Sequence, residues 1–243
     1  MSRPTRILAS SGGFVGTGLW GVVRPGPIML EALRLSGAER PRVCLVMTAS
    51  GDDPQYLTST YSALSDIGCD VDHLALFPQP NRRPADVIGA ADVVWVGGGS
   101  VANLLALWRL HCVDEAMAEA FARGAILAGV SAGSICWHVG GPTDSFGAEL
   151  ANVDDALGFL PFGNGVHYDT EAQRRPLLHD LVAQRALPSS YATDDGVGIL
   201  YENGEAVEVI TDTPDVPGPA AYFIECVGGV AAETRLEPGR IAT

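Results

Sequence analysis

Residues 124 to 136 read Gly-Ala-Ile-Leu-Ala-Gly-Val-Ser-Ala-Gly-Ser-Ile-Cys and constrain this chain more than any other segment. A short apolar run, Ala125 to Ala128, enters a Gly-x-Ser-x-Gly turn, and a helix-like stretch leaves it. A strand that turns abruptly into a helix holds the serine at the tip of a tight bend, the arrangement of a nucleophile elbow. Gly129 and Gly133 suit that bend, because a Cβ at either place would crowd it. A helix beginning near Ala132 directs free backbone N–H groups toward the place where an oxyanion would form. Ser131 is therefore the candidate nucleophile. The competing reading is an ordinary glycine-rich turn that happens to contain a serine, and the flanking strand and helix patterns weigh against it.

The rest of the N-terminal half alternates in the same way. Strands are predicted at Ile7–Ala9, Val43–Met47, Val71–Leu76 and Val93–Val96, with helices at 27–36, from Asp53-Pro54 to about Ile67, at Ala85–Ala90, at Val101–Leu110 capped by Ser100, and at Asp114–Arg123. A β-α-β-α order implies an α/β fold whose mostly parallel sheet is flanked by helices on both faces. Functional loops then belong at the C-terminal ends of strands. Three loops qualify: Gly12-Gly13, Gly97-Gly98-Gly99-Ser100, and Ser131. After residue 140 the pattern loosens. Residues 143–156 and 211–220 read as loops, Glu171–Gln184 as a helix, and short strands are predicted near 190–194, 197–201, 206–210 and 221–226. With no repeat and no linker in view, residues 1–243 are expected to form a single domain.

Composition excludes several chemistries. The formal net charge is −14, spread along the chain, whereas nucleic-acid binding needs a basic footprint. All fifteen basic residues are arginines, so a P-loop lysine, a Schiff-base lysine and a Ser-Lys dyad are ruled out. No HxH or HExxH spacing offers a metal site, Gly97-Gly98-Gly99 lacks the G-x-G-x-x-G register, and no cofactor is expected. The five cysteines include no CxxC pair and read as free thiols in a reducing compartment. The N-terminus shows no signal-peptide pattern and no apolar run spans a bilayer, so a cytoplasmic location with no membrane partner is expected. The apolar-rich composition, 47% hydrophobic, would suit a homodimer without locating an interface.

A serine hydroxyl needs a base, and the base needs an orienting partner. Of five histidines, His73 lies in a strand pattern, His111 ends a helix, His138 points elsewhere from the elbow helix, and His179 sits mid-helix. His167 follows Gly163-Asn164-Gly165-Val166 at a strand end, downstream of the elbow, and is the candidate base. The acid should stand at another strand end, where Asp194 and Asp195 follow Tyr191-Ala192-Thr193. Either aspartate fits, although the two would also form an ordinary turn with Gly196. The order Ser…His…Asp differs from the Ser…Asp/Glu…His of α/β-hydrolases. It is closer to the class I glutamine amidotransferase-like (flavodoxin-like) arrangement.

Three segments carry a family resemblance. Val93-Val94-Trp95-Val96-Gly97-Gly98-Gly99-Ser100, Gly129-Val130-Ser131-Ala132-Gly133 and Val166-His167-Tyr168 occur in collinear order. Together they resemble the S51 serine peptidases, the peptidase E or α-aspartyl dipeptidase family, with cyanophycinase a more distant relative. The resemblance implies Ser131 as nucleophile, His167 as base and Asp195 as acid, although the family usually has Glu at that last place. It places the oxyanion hole at the backbone N–H groups of Gly99 and Ala132. It makes Arg174, in Thr170-Glu171-Ala172-Gln173-Arg174, the cation for a substrate carboxylate. Glu171 stands where the family's helix start, T-R-E-Q-R, has an arginine. A small peptide is then the expected substrate. The alternatives are another amide or isopeptide hydrolase on the same scaffold, or a non-catalytic amidotransferase-like binding domain.

Overall fold

The computed structural model describes residues 4–216 and 218–241. Five parallel strands, Arg6–Ser10, Ile126–Val130, Val93–Val96, Arg42–Val46 and Asp70–Leu74, lie side by side in that order. Val197–Glu202, Glu205–Thr211 and Gly239–Arg240 extend the sheet antiparallel beyond Arg6–Ser10. The expected α/β architecture with a mostly parallel sheet is thus the observed one.

Inner parallel strands are apolar throughout because crossover helices cover both of their faces. The period-two alternation of side chains assigns each residue to a face. Leu8, Leu45, Trp95 and Ala128 pack with Ile28, Met29 and Leu64 of helices Pro27–Ser36 and Pro54–Asp66. Ile7, Val46, Val94 and Leu127 pack on the opposite side with Ile88, Leu104 and Met117 of helices Pro84–Ala90, Val101–Leu110 and Val113–Ala122. Helix starts follow local chemistry. Asp53 accepts a hydrogen bond from the Tyr56 N–H at 2.7 Å with Pro54 at the first helical position, and Ser100 accepts from the Asn103 N–H at 3.3 Å.

A second sheet lies in the C-terminal half, with strands in the order Gly163–Gly165, Ser190–Thr193, Ala221–Val227 and Val230–Leu236. Helix Arg174–Ala183 packs Leu178 and Val182 against Ala192 and Ile224. The helix expected from Glu171 therefore starts three residues later. Val230–Leu236 escaped the sequence reading because its Val-Ala-Ala-Glu-Thr-Arg-Leu run is partly exposed and lacks the apolar alternation that marks a half-buried strand. Residues 143–156, expected as loop, contribute to a small hairpin of Gly141–Thr143 with Ala151–Val153. Another hairpin, Phe14–Gly16 with Val23–Pro25, follows the first strand. Among the described residues no helix is long and apolar enough to cross a membrane. All five cysteines are free; Cys44, Cys69 and Cys136 are buried, and Cys112 is exposed.

Candidate active site

Ser131 sits directly after the Ile126–Val130 strand with φ 57° and ψ −115°, and the short helix Ala132–Ile135 follows it. A non-glycine residue held in this sparsely populated region costs about 1–3 kcal/mol. Three backbone hydrogen bonds hold it there. The Ser131 N–H donates to Ser10 O at 3.0 Å, and Ser131 O accepts from the Ser134 and Ile135 N–H groups at 2.8 and 3.0 Å. At a net worth of about 1 kcal/mol each, such bonds match the cost of the strain. The flanking glycines are sterically required. A Cβ on Gly129 would lie 2.3 Å from Gly133 O, and one on Gly133 would lie 2.2 Å from Val96 O.

The neighbouring strand Val93–Val96 delivers the Gly97–Ser100 loop to the same edge. A Cβ on Gly98 would stand 3.1 Å from Ser131 Cβ and 3.7 Å from Ser131 Oγ, so this loop lines the serine directly. Gly99 has φ 134°, and its backbone is pressed against Ala49 O. Among the described residues neither the Gly99 nor the Ala132 N–H donates to a backbone acceptor.

The second sheet carries the other two groups. Gly163–Gly165 runs parallel to Ser190–Thr193 with Gly165 opposite Ala192, so both strands end on the same side. His167 follows the first strand and Asp195 the second. His167 Nδ1 lies 2.5 Å from Asp195 Oδ1. Asp195 is itself positioned: its Oδ2 accepts from Thr170 Oγ1 at 3.0 Å, and its N–H donates to Asp169 Oδ1 at 2.9 Å. Sequence reading missed both supports, although each belongs to the short segment that follows His167.

Asp194, the alternative acid, turns the other way. Its Oδ2 accepts from the Ala220 N–H at 3.0 Å and from Tyr222 Oη at 3.1 Å. It is 4% exposed, and burial raises its pKa. His138 is fully buried, with Nδ1 2.9 Å from Ser134 O and Nε2 3.4 Å from Tyr201 Oη. Burial lowers its pKa to about 4.

Ser131 and His167 are tied to adjacent residues, Ser10 at the end of the Arg6–Ser10 strand and Ser11 just after it. Ser10 O holds the Ser131 N–H, and Ser11 Oγ accepts the His167 N–H at 3.0 Å. Among the described residues no hydrogen bond joins Ser131 Oγ to the His167 imidazole.

Arg174 is not at an open cation site. Its side chain is 3% exposed, its Nε donates to Glu171 Oε2 at 2.7 Å, and its Nη1 donates to Pro142 O. Arg175, which together with Arg174 could have formed a solvated helix face, lies 4.7 Å from the ring centres of both Tyr168 and Tyr222 and pairs with Glu233 at 2.9 Å. The Asp144–Leu150 segment bridges the two sides of the site. Ser145 Oγ accepts from the Ala102 N–H at 3.3 Å, and the Leu150 N–H donates to Gln173 Oε1 at 3.2 Å. A cavity of about 380 Å³ opens there, bounded by Asp144, Gly147, Leu150, Glu171 and Gln173.

Residues 7–209 match the family model for Peptidase family S51. An uncharacterized peptidase, YgaJ, of Bacillus subtilis (strain 168) is 39% identical over 204 residues, covering 84% of this chain and 86% of the relative. Two crystal structures share the fold. A peptidase from an acI-B1 Actinobacterium has a TM-score of 0.72 at 13% identity, covering 99% of this chain and 97% of the other. A Listeria monocytogenes EGD-e protein assigned as a peptidase E has a TM-score of 0.62 at 17% identity, covering 86% and 98%. The match across more than three-quarters of its length establishes that the chain belongs to peptidase family S51, a family of serine-type peptidases.

Proposed function

We propose that this protein hydrolyses dipeptides or short peptides through an acyl-enzyme on Ser131, with His167 as general base and Asp195 as the orienting acid. The carrying observation is the 2.5 Å contact of His167 Nδ1 with Asp195 Oδ1, with the His167 N–H held by Ser11 Oγ beside the Ser10 carbonyl that holds the Ser131 N–H. In this reading Nδ1 carries the proton directed at the carboxylate, and Nε2 takes the serine proton. As Ser131 Oγ attacks the scissile carbonyl, the proton moves to His167 Nε2. The N–H groups of Gly99 and Ala132, free of backbone acceptors, would receive the developing oxyanion. His167 then returns the proton to the leaving amine, and a water activated by the same nitrogen releases the acid product.

The preference for short substrates is supported by the Asp144–Leu150 segment, which is tied to Ala102 on one side and Gln173 on the other and so narrows the approach. The cation proposed for a substrate carboxylate, Arg174, is buried and already paired with Glu171 and Pro142 O, so no preference for Asp over neutral residues is expected from it. One observation favours a second reading. Asp144 borders the cavity beside the paired Glu171 and Arg174, and its carboxylate would suit an amide or isopeptide substrate with a basic side chain. The test of the shared mechanism is reaction with a fluorophosphonate, followed by peptide mapping. A single adduct on Ser131 that disappears in His167→Ala supports the acyl-enzyme reading. An unreactive, folded protein refutes it.

A further inference from the structure

We infer that Ser11 is a positioning residue that ties the base to the segment carrying the acid, next to the Ser10 grip on the nucleophile, an inference that rests on the triad reading above. The Ser10-Ser11 pair touches all three segments. Ser10 O accepts the Ser131 N–H at 3.0 Å, and Ser10 Oγ donates to Gly129 O at 2.9 Å, gripping the elbow strand. Ser11 Oγ accepts the His167 N–H at 3.0 Å. On the acid side, the Ser11 N–H donates to Val197 O at 2.8 Å, and Ser11 O accepts the Gly196 N–H at 3.0 Å. Its hydroxyl also lies 2.7 Å from Thr193 Oγ1 and 3.1 Å from Thr193 O. Thr193 and Gly196 bracket Asp194 and Asp195.

The hydroxyl is used to capacity. A serine offers one O–H donor and two acceptor lone pairs. Here one lone pair takes the His167 N–H, and the remaining lone pair and the O–H serve the contacts with Thr193 Oγ1 and Thr193 O. The Ser11–Thr193 contact is buried, with Ser11 5% and Thr193 1% exposed, so water does not replace these bonds cheaply. His167 has the further need of an anchor, since its backbone stands at φ 51°. Without an acceptor for its N–H, that conformation loses a bond that offsets its strain, and the imidazole is free to drift from the elbow. The main chain of Ser11 fixes where the sheet ends, but only its side chain fixes His167. A glycine or alanine would serve the sheet equally well.

The expected effect of Ser11→Ala is a fall of about 10- to 100-fold in kcat and kcat/KM together with little change in KM, the mark of a displaced catalytic group. Ser11→Thr keeps the hydroxyl and should restore most of the rate. Ser11→Cys keeps the branching with a larger, weakly accepting sulfur, and it carries the same comparison if the alanine variant does not fold. Two readouts are taken on protein shown to be folded by circular dichroism. One is the rate of fluorophosphonate labelling. The other is the downfield Nδ1 proton of the His167–Asp195 pair in the NMR spectrum, which reports His167 geometry without any turnover. Slower labelling with a lost or broadened proton in Ser11→Ala or Ser11→Cys, and recovery of both in Ser11→Thr, supports the role. A wild-type rate and an intact proton in folded Ser11→Ala overturn it. A wild-type protein that does not label overturns the triad reading on which it rests, so the two failures are distinct.

Discussion

The two adjacent aspartates allow a sharp test, because the structure gives them opposite surroundings. Asp195→Asn removes the charge facing His167 Nδ1 and allows the amide to present either an oxygen or a nitrogen there. In a buried triad that change costs about 10,000-fold in kcat, about 5 kcal/mol of transition-state stabilisation. Here the Asp195 side chain is 45% exposed. Solvent screening should remove about half of that energy, leaving a loss of about 100-fold in kcat. Asp194→Asn is different. Its carbonyl oxygen still accepts from the Ala220 N–H and Tyr222 Oη, and the burial that raises the Asp194 pKa favours a neutral side chain there. Its kcat should stay within about threefold of wild type, with equal or slightly greater stability. The assay is steady-state hydrolysis of a common dipeptide by both variants, with urea denaturation as the folding control. A larger loss in Asp194→Asn than in Asp195→Asn would refute the assignment.

Further expectations follow from the same geometry. Gly98→Ala places a methyl 3.7 Å from Ser131 Oγ, and kcat should drop by about tenfold while the melting temperature changes little. Gly133→Ala drives a Cβ to 2.2 Å from Val96 O, where backbone must move, and a loss of about 3 kcal/mol in urea unfolding is expected, the upper end for overpacking. Arg174→Ala leaves Glu171 and Pro142 O without their partner, so it should lower the melting temperature as well as any affinity, whereas a purely substrate-binding arginine would alter KM alone. The buried His138 imparts acid sensitivity. Its pKa is about 4 when folded against 6.5 for a free imidazole, so the unfolded chain takes up the proton first. Stability is full above about pH 6.5 and falls by about 3 kcal/mol as the pH drops toward 4; His138→Gln should flatten that slope in urea titrations.

Much of the site's scaffold was legible in the sequence because local chemistry and global fold agree there. The apolar run before Ser131, the two glycines and the β-branched Val93–Val96 strand each specify one conformation, and these strands lie side by side in the sheet. The Asp53 and Ser100 caps were readable for the same reason, since each is a contact between near neighbours. What could not be read depends on partners far apart in sequence. Whether Asp194 or Asp195 meets His167 turns on strand pairing between Gly163–Gly165 and Ser190–Thr193, and on Ala220 and Tyr222 claiming Asp194. Arg174 looked like a free cation because its partner Pro142 O is 32 residues away, where the sequence pattern has already loosened. Ser11 stood in a loop already noted for its glycines, and nothing near it in sequence points to His167, 156 residues on.

The most direct measurement is hydrolysis of a dipeptide panel (Asp-Leu, Ala-Leu, Asn-Leu and Arg-Leu, with β-aspartyl-arginine as the isopeptide member) by wild type, Ser131→Ala and His167→Ala. The triad reading requires turnover of at least one member by wild type and its loss, by about 10,000-fold or more, in both variants. Turnover that survives in folded Ser131→Ala, or its absence from every member with wild type, would contradict that reading.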